Sequence, residues 1–151
     1  YIYRKNFATM TALSIANRLG GAKVLGRTVS SDFDFFDLAA AGVPKATIKH
    51  LADSLGIEVS ELIKFLPVTS RNLQRYQDTD LLNTVVSDHL IALAKLFAYG
   101  EDALGRDYFR DWLQGPILAL GYVKPVDFLK SHAGIEIIRR ELGRIEHGIF
   151  A

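Results

Sequence analysis

Four histidines, at His50, His89, His132 and His147, are the first places to look for chemistry, because imidazole is both an acid–base group and a common metal ligand. None belongs to a His-X-X-X-His or His-Glu-X-X-His pair, the spacing that sets two ligands on one helix face, so no zinc site is expected. Asp88 and His89 adjoin in a segment that reads as helix, where neighbours point about 100° apart, too far for a dyad. Gly20-Gly21 and Gly26 lack the strand–loop–helix setting of a phosphate cradle. No nucleophile elbow is present, and the chain has no Cys, which removes thiolate metal sites, Cys nucleophiles and disulfides. The chain is therefore expected to be neither an enzyme nor the holder of a metal or cofactor.

Two other groups of residues suit recognition. The first is Thr69-Ser70-Arg71-Asn72-Leu73-Gln74-Arg75-Tyr76-Gln77. Leu73 can turn into a core against Leu62 and Leu66, leaving Arg71, Asn72 and Arg75 outside, with the two arginines one turn apart. Arg and Asn have the donor geometry to read guanine and adenine edges. Thr69 and Ser70, at a helix start, suit a phosphate, and Lys45, Lys49 and Lys64 can add contacts that set affinity but not sequence. Two packed surface helices with a solvated basic face would show the same pattern. A single half-site with so few cations binds weakly, so sequence-specific binding would need a dimer.

The second group lies toward the C-terminus. Gly115-Pro116-Ile117-Leu118-Ala119-Leu120-Gly121-Tyr122 is apolar yet too short for another helix, so it covers a core or awaits a partner. Arg140 and Arg144 stand one turn apart and can grip carboxylates, although a solvated basic face would look alike. The sequence closes on Arg144-Ile145-Glu146-His147-Gly148-Ile149-Phe150-Ala151, an apolar end where chain ends are usually polar and frayed. It opens on Tyr1 rather than Met, so upstream sequence is expected.

The elements that must position these groups are helices. Phe7 to Leu19 reads as helix, closed by Gly20-Gly21. Ala22–Gly26 is a short apolar piece. Ser31 caps a helix from Asp32 to about Ala41, with three acids in its first two turns. Pro44 suits the first turn of the next helix, which ends at Leu55 before Gly56. Ser60–Leu66, a Pro67-Val68-Thr69 turn and a helix capped by Ser70 and running to about Gln77 have helix–turn–helix spacing. A long amphipathic helix comes next, from about Thr84 to Ala103, then Tyr108–Leu113, a loop Ile117–Lys124, a turn of helix at Pro125–Leu129, and a last helix from Ala133 to about His147 capped by Ser131. The fold class is all-α. The division expected is residues 1–83, the helix–turn–helix and dimerisation region, and 84–151, a second small helical domain.

At 151 residues there is room for one domain or two small ones that share a core. Apolar residues make up 49% and charged residues 23%, a balance that argues against disorder. The net charge of +1 decides little, but it is uneven: residues 1–83 hold ten Lys/Arg against eight Asp/Glu, and 84–151 hold eight against nine. No apolar run approaches ~18 residues, so no membrane-spanning helix is expected. The absence of Cys suits a reducing, cytoplasmic setting.

Taken in order, Asp88, Tyr99-Gly100-Glu101-Asp102, Phe109-X-X-Trp112-Leu113, Pro116-X-X-Ala119-Leu120-Gly121, Lys124-Pro125-X-Asp127-Phe128-Leu129 and Gly143-Arg144-Ile145-Glu146-His147-Gly148 resemble the toxin-binding domain of the Xre/MbcA/ParS antitoxins. Upstream, Gly42-X-Pro44, Leu55-Gly56, Glu61-Leu62 and Thr69-X-Arg71-X-Leu73-Gln74-Arg75 resemble that family's Xre-like helix–turn–helix half. Tyr76 stands where the family often has a second basic residue, and Gly115-Pro116-Ile117 and Tyr122 replace parts of its usual loop.

The resemblance implies a homodimer that binds and inhibits a toxin encoded beside it. That toxin is usually a RES-domain enzyme that consumes NAD, and its active site is covered by the antitoxin's C-terminal domain. The resemblance also implies repression of the operon through DNA binding by Thr69, Ser70, Arg71, Asn72, Gln74 and Arg75. Candidate toxin anchors are Tyr122, Ile149 and Phe150, and candidate polar contacts are Lys124, Arg140, Arg144, Glu146 and His147. For Glu146 and His147, helix capping and internal pairing are the competing roles. A stand-alone helix–turn–helix repressor is the alternative for the whole chain.

Overall fold

The computed structural model describes residues 12–148. All regular structure among them is helical, apart from two isolated bridges, Pro44 with Leu81 and Ile117 with Val123. The chain divides into two compact units between Ala94 and Lys95, inside the longest helix. The division drawn from sequence, at 83/84, lies at that helix's start.

In the first unit, α1 covers 12–18 among the described residues; the start expected at Phe7 lies outside them. It buries Ala12, Ile15 and Ala16, an i, i+3, i+4 stripe. The short piece after it is itself a helix, α2 (Gly21–Leu25). Helix α3 (Asp32–Ala41) starts where Ser31 predicts, in a reciprocal cap. The Asp34 amide donates to Ser31 Oγ at 3.4 Å, and the Ser31 amide donates back to Asp34 Oδ2 at 3.2 Å. Ser30 adds its amide at 2.9 Å and its hydroxyl at 3.1 Å. Those donors, the Ser30 amide first, hold the Asp34 carboxyl below the ordinary carboxylate value.

Helix α4 begins at Ala46 and ends at Leu55, so Pro44 stands before the helix rather than in its first turn. The reason is tertiary. The amides of Lys45 and Ala46, which a helix start leaves without partners, donate to the carbonyls of Asp80 and Asp78. Pro44 therefore serves as a bridge residue opposite Leu81. Helix α4 buries Thr47, Ile48, Leu51, Ala52 and Leu55. Helix α5 (Val59–Lys64) packs on it, and α6 (Ser70–Leu73) comes after the turn.

Helix α7 (Thr84–Leu104) runs through the boundary. In the first unit it buries Val86, Leu90, Ile91, Leu93 and Ala94, and the buried Ser87 hydroxyl accepts the Val43 amide at 3.0 Å.

The second unit is organised around Phe109, which is fully buried. It lies on α8 (Arg106–Gln114), meets Phe97 edge-on at 5.4 Å between ring centres and stacks near Trp112 at 6.1 Å. Gly100 faces that ring so closely that any Cβ would be driven into it, which accounts for glycine inside a helix, where it is otherwise unfavourable. Two 3₁₀ turns, Leu118–Leu120 and Pro125–Phe128, come next, and the second packs on α8 and on the last helix. That last helix, α9 (His132–Glu146), is capped by Ser131 as the sequence predicts. Its Ile135, Ile138 and Leu142 are buried, while Ile145 is only half-buried.

Candidate functional site

In the first unit, Leu73 is buried together with Leu62 and Leu66. This leaves Thr69, Ser70, Arg71, Asn72, Gln74 and Arg75 all exposed around one turn of helix. That element differs from expectation in two ways. Thr69 is the cap, its Oγ1 accepting the Asn72 amide at 3.1 Å, and Ser70 is the first helical residue. The helix also stops at Leu73 instead of Gln77.

Competing partners end it. The Arg75 and Tyr76 amides close tighter i→i−3 turns on Asn72 and Leu73. The Asp80 carboxylate then takes the Gln77 amide at 2.8 Å, and Lys45 Nζ takes the Tyr76 carbonyl at 2.8 Å. Lys45, expected on phosphate, is thus occupied in anchoring the end of this turn, whereas Lys49 and Lys64 are exposed. Asp88 is exposed and His89 buried, so the two point apart as the helical spacing requires.

In the second unit the loop after α8 is closed on itself. The Tyr122 amide donates to the Ile117 carbonyl at 2.9 Å, and Ile117 and Val123 form a bridge. This short neck lifts apolar side chains outward: Leu118 is 71% exposed, Tyr122 70% and Val123 41%. Tyr122 also has φ 63°, the one non-glycine positive φ among the described residues. A left-handed conformation costs a side-chain-bearing residue about 1–2 kcal/mol. Such strain clusters at functional sites, where the surroundings impose it. Lys124 comes next, exposed, at the entry to the second 3₁₀ turn.

On α9 and its C-cap, Arg140, Arg144 and His147 lie at i, i+4 and i+7 and form one exposed stripe. Arg144 pairs with Glu141 at 3.7 Å, an exposed contact worth little and easily exchanged. Glu146 stands apart from this stripe, by about 120° around the helix. Its Oε2 accepts a hydrogen bond from the Tyr99 hydroxyl of α7. Burial and then this carboxylate push the Tyr99 phenol up to about 12. Ile149 and Phe150 lie outside the described residues.

Sequence reasoning missed Leu118 and Val123 as outward-facing residues and Tyr99 as the partner of Glu146. The apolar character of the loop was the only signal for the first two. Nothing local signals a bond across 47 positions. Among the described residues no group of three or more His, Asp or Glu could hold a metal ion, and no helix is long and apolar enough to cross a membrane.

A capped basic turn in one unit and an apolar loop with a stripe of basic side chains in the other are the exposed features of this all-α chain. Residues 34–95 match the antitoxin Xre-like helix–turn–helix domain, and residues 92–148 match the antitoxin Xre/MbcA/ParS C-terminal toxin-binding domain. The chain belongs to the Xre/MbcA/ParS-type antitoxins. It is also similar to a protein of Sphingobium sp. (strain YBL2) named "Prs ADP-ribosylating antitoxin", with 25% identity over 133 residues, covering 81% of this chain and 84% of that one.

Proposed function

We propose that this antitoxin neutralises an NAD-consuming toxin of the RES-domain kind by laying its second unit over the toxin's active site, and that it represses its own operon as a dimer. The observation that carries the first part is the loop of 117–123, which exposes Leu118, Tyr122 and Val123 at the cost of left-handed backbone at Tyr122. Exposed aromatics held rigid are the usual anchors of a protein interface. Exposed Lys124, Arg140, Arg144 and His147 suit an acidic rim on the partner. The choice of toxin draws on the Sphingobium relative, whose name refers to ADP-ribosylation. That transfer takes its ADP-ribose from NAD, as an enzyme of the RES kind would.

The repressor half draws on Arg71, Asn72, Gln74 and Arg75, which are exposed together beside the Thr69 cap. One turn of helix with so few cations needs a second copy for useful affinity. In the same unit, Phe33 and Phe36 of α3 are 81% and 74% exposed, an aromatic face of the kind that contacts between copies cover.

The test is co-expression with the product of the neighbouring gene, using the full chain and a chain ended after Gly143, with circular dichroism to confirm that the latter stays folded. Growth rescue and co-purification by the full chain alone would place neutralisation in the end of α9 and the residues beyond it. Equal rescue by both would place the grip on the 117–123 loop. If neither binds the neighbour, toxin neutralisation by this route is wrong and a stand-alone repressor takes its place.

A further inference from the structure

The Tyr99–Glu146 hydrogen bond has no part in either recognition surface, and yet it joins α7 to the last turn of α9. That turn would otherwise be weakly held. Helix ends fray because their last carbonyls lack helical partners. Here Ile145 is only half-buried, and Glu146, His147 and Gly148 are exposed. The last buried anchor on the core side is Leu142, a full turn earlier. Closure beyond it relies on the His147 amide donating to the Gly143 carbonyl at 3.0 Å and the Gly148 amide donating to the Ile145 carbonyl at 3.2 Å. Gly148 has φ 65°, which turns the chain away from the helix. The same turn carries Arg144 and His147, two of the three members of the exposed stripe.

Position 143 is also consistent with a phenol reaching across. A Cβ at Gly143 would sit 3.6 Å from the Tyr99 hydroxyl, so a larger side chain would crowd the approach to Glu146.

We infer that Tyr99 is a positioning residue for toxin binding: its hydroxyl holds Glu146 and thereby fixes the last turn of α9, so that Arg144 and His147 are presented in one geometry. Glu146 then acts through Tyr99 and is not itself a contact to the toxin. This rests on the antitoxin reading proposed for the second unit. Its energetic logic is pre-organisation, in which ordering done before binding is not charged to the complex.

The experiment uses the full chain and three variants, Tyr99→Phe, Glu146→Gln and Glu146→Ala. Amide hydrogen exchange is read at His147 and Gly148, and inhibition of the neighbouring toxin's NAD consumption is titrated in parallel. Phe removes only the hydroxyl. Gln keeps an oxygen that accepts from the phenol but loses the charge. Tyr99→Phe and Glu146→Ala should speed exchange at His147 and Gly148 about tenfold, leaving Ile138 and Leu142 unchanged. The same two should weaken inhibition about tenfold, with Glu146→Gln close to the parent in both readouts. Unchanged exchange in Tyr99→Phe would overturn the inference. So would a Glu146→Gln loss as large as that of Glu146→Ala beside a Tyr99→Phe that inhibits normally, because the Glu146 charge would then be touching the toxin. A parent chain that inhibits nothing would sink the antitoxin reading, and with it the functional half of the inference. Exchange would still decide whether the bond holds the turn.

Discussion

Tyr122 offers a prediction in which stability and binding move independently. Its ring is 70% exposed, so folding covers only about a third of it. With aromatic side chains offering ~200 Å², that is about 60 Å², worth ~1.5 kcal/mol. Its backbone, at φ 63°, is left-handed. Asn tolerates that region far better than Ala. Tyr122→Ala loses the covered area and keeps the strain, so it should destabilise the isolated chain by about 1.5 kcal/mol. Tyr122→Asn loses the same area but relieves about 1 kcal/mol of strain, and should come out near the parent. The two variants should therefore differ by about 2–4 °C in Tm at this chain length. Both should lose at least ~2 kcal/mol of toxin affinity, roughly 30-fold, if the ring is an interface anchor. Thermal unfolding of the lone chain and titration against the neighbouring toxin measure the two effects separately. Equal Tm values for Ala and Asn would refute the strain argument, and undiminished affinity would remove Tyr122 from the interface.

Three further outcomes are expected. Gly100→Ala should destabilise the chain by about 1–3 kcal/mol because its methyl enters the space of the Phe109 ring; adding Phe109→Leu should recover part of that loss, read as a coupling in denaturant midpoints. Arg71→Ala and Arg75→Ala should each weaken operator binding and, for a phosphate contact, lower the salt slope by about 1, measured by fluorescence anisotropy across salt concentrations. Asp34 has a folded pKa below its ordinary value of 3.8, so the stability it contributes is present above that value and is lost as pH falls through the lowered one. Asp34→Asn should flatten the acid limb of the chain's stability profile, and an unchanged limb would assign that limb to other carboxylates.

The helices capped by Ser31 and Ser131 were legible because their starts obey local rules. Ser31, Ser131 and the glycines after α3 and α4 act through bonds and conformations within a few residues of themselves. The apolar stripes at Ile48/Leu51/Leu55 and Ile135/Ile138/Leu142 repeat at helical spacing, and they are buried as that spacing requires. Motif order along the chain carried the family resemblance in the same way.

Three features depend on a group distant in sequence, in the second case beside a local one. Helix α4 starts after Pro44 because Asp78 and Asp80 supply carbonyls to its first amides. The basic turn ends at Leu73 where the chain tightens and the nearby Asp80 takes the Gln77 amide, and Lys45, 31 positions away, fixes that end by donating to the Tyr76 carbonyl. Glu146 has the same character in sequence as the exposed charges around it. Only the packing of α9 in its unit brings it to Tyr99, 47 positions away, whose hydroxyl donates to its carboxylate. Local pattern fixes which backbone segments coil and which faces are apolar. Which polar group satisfies which depends on the approach of distant segments, and local pattern along the chain does not reveal that approach.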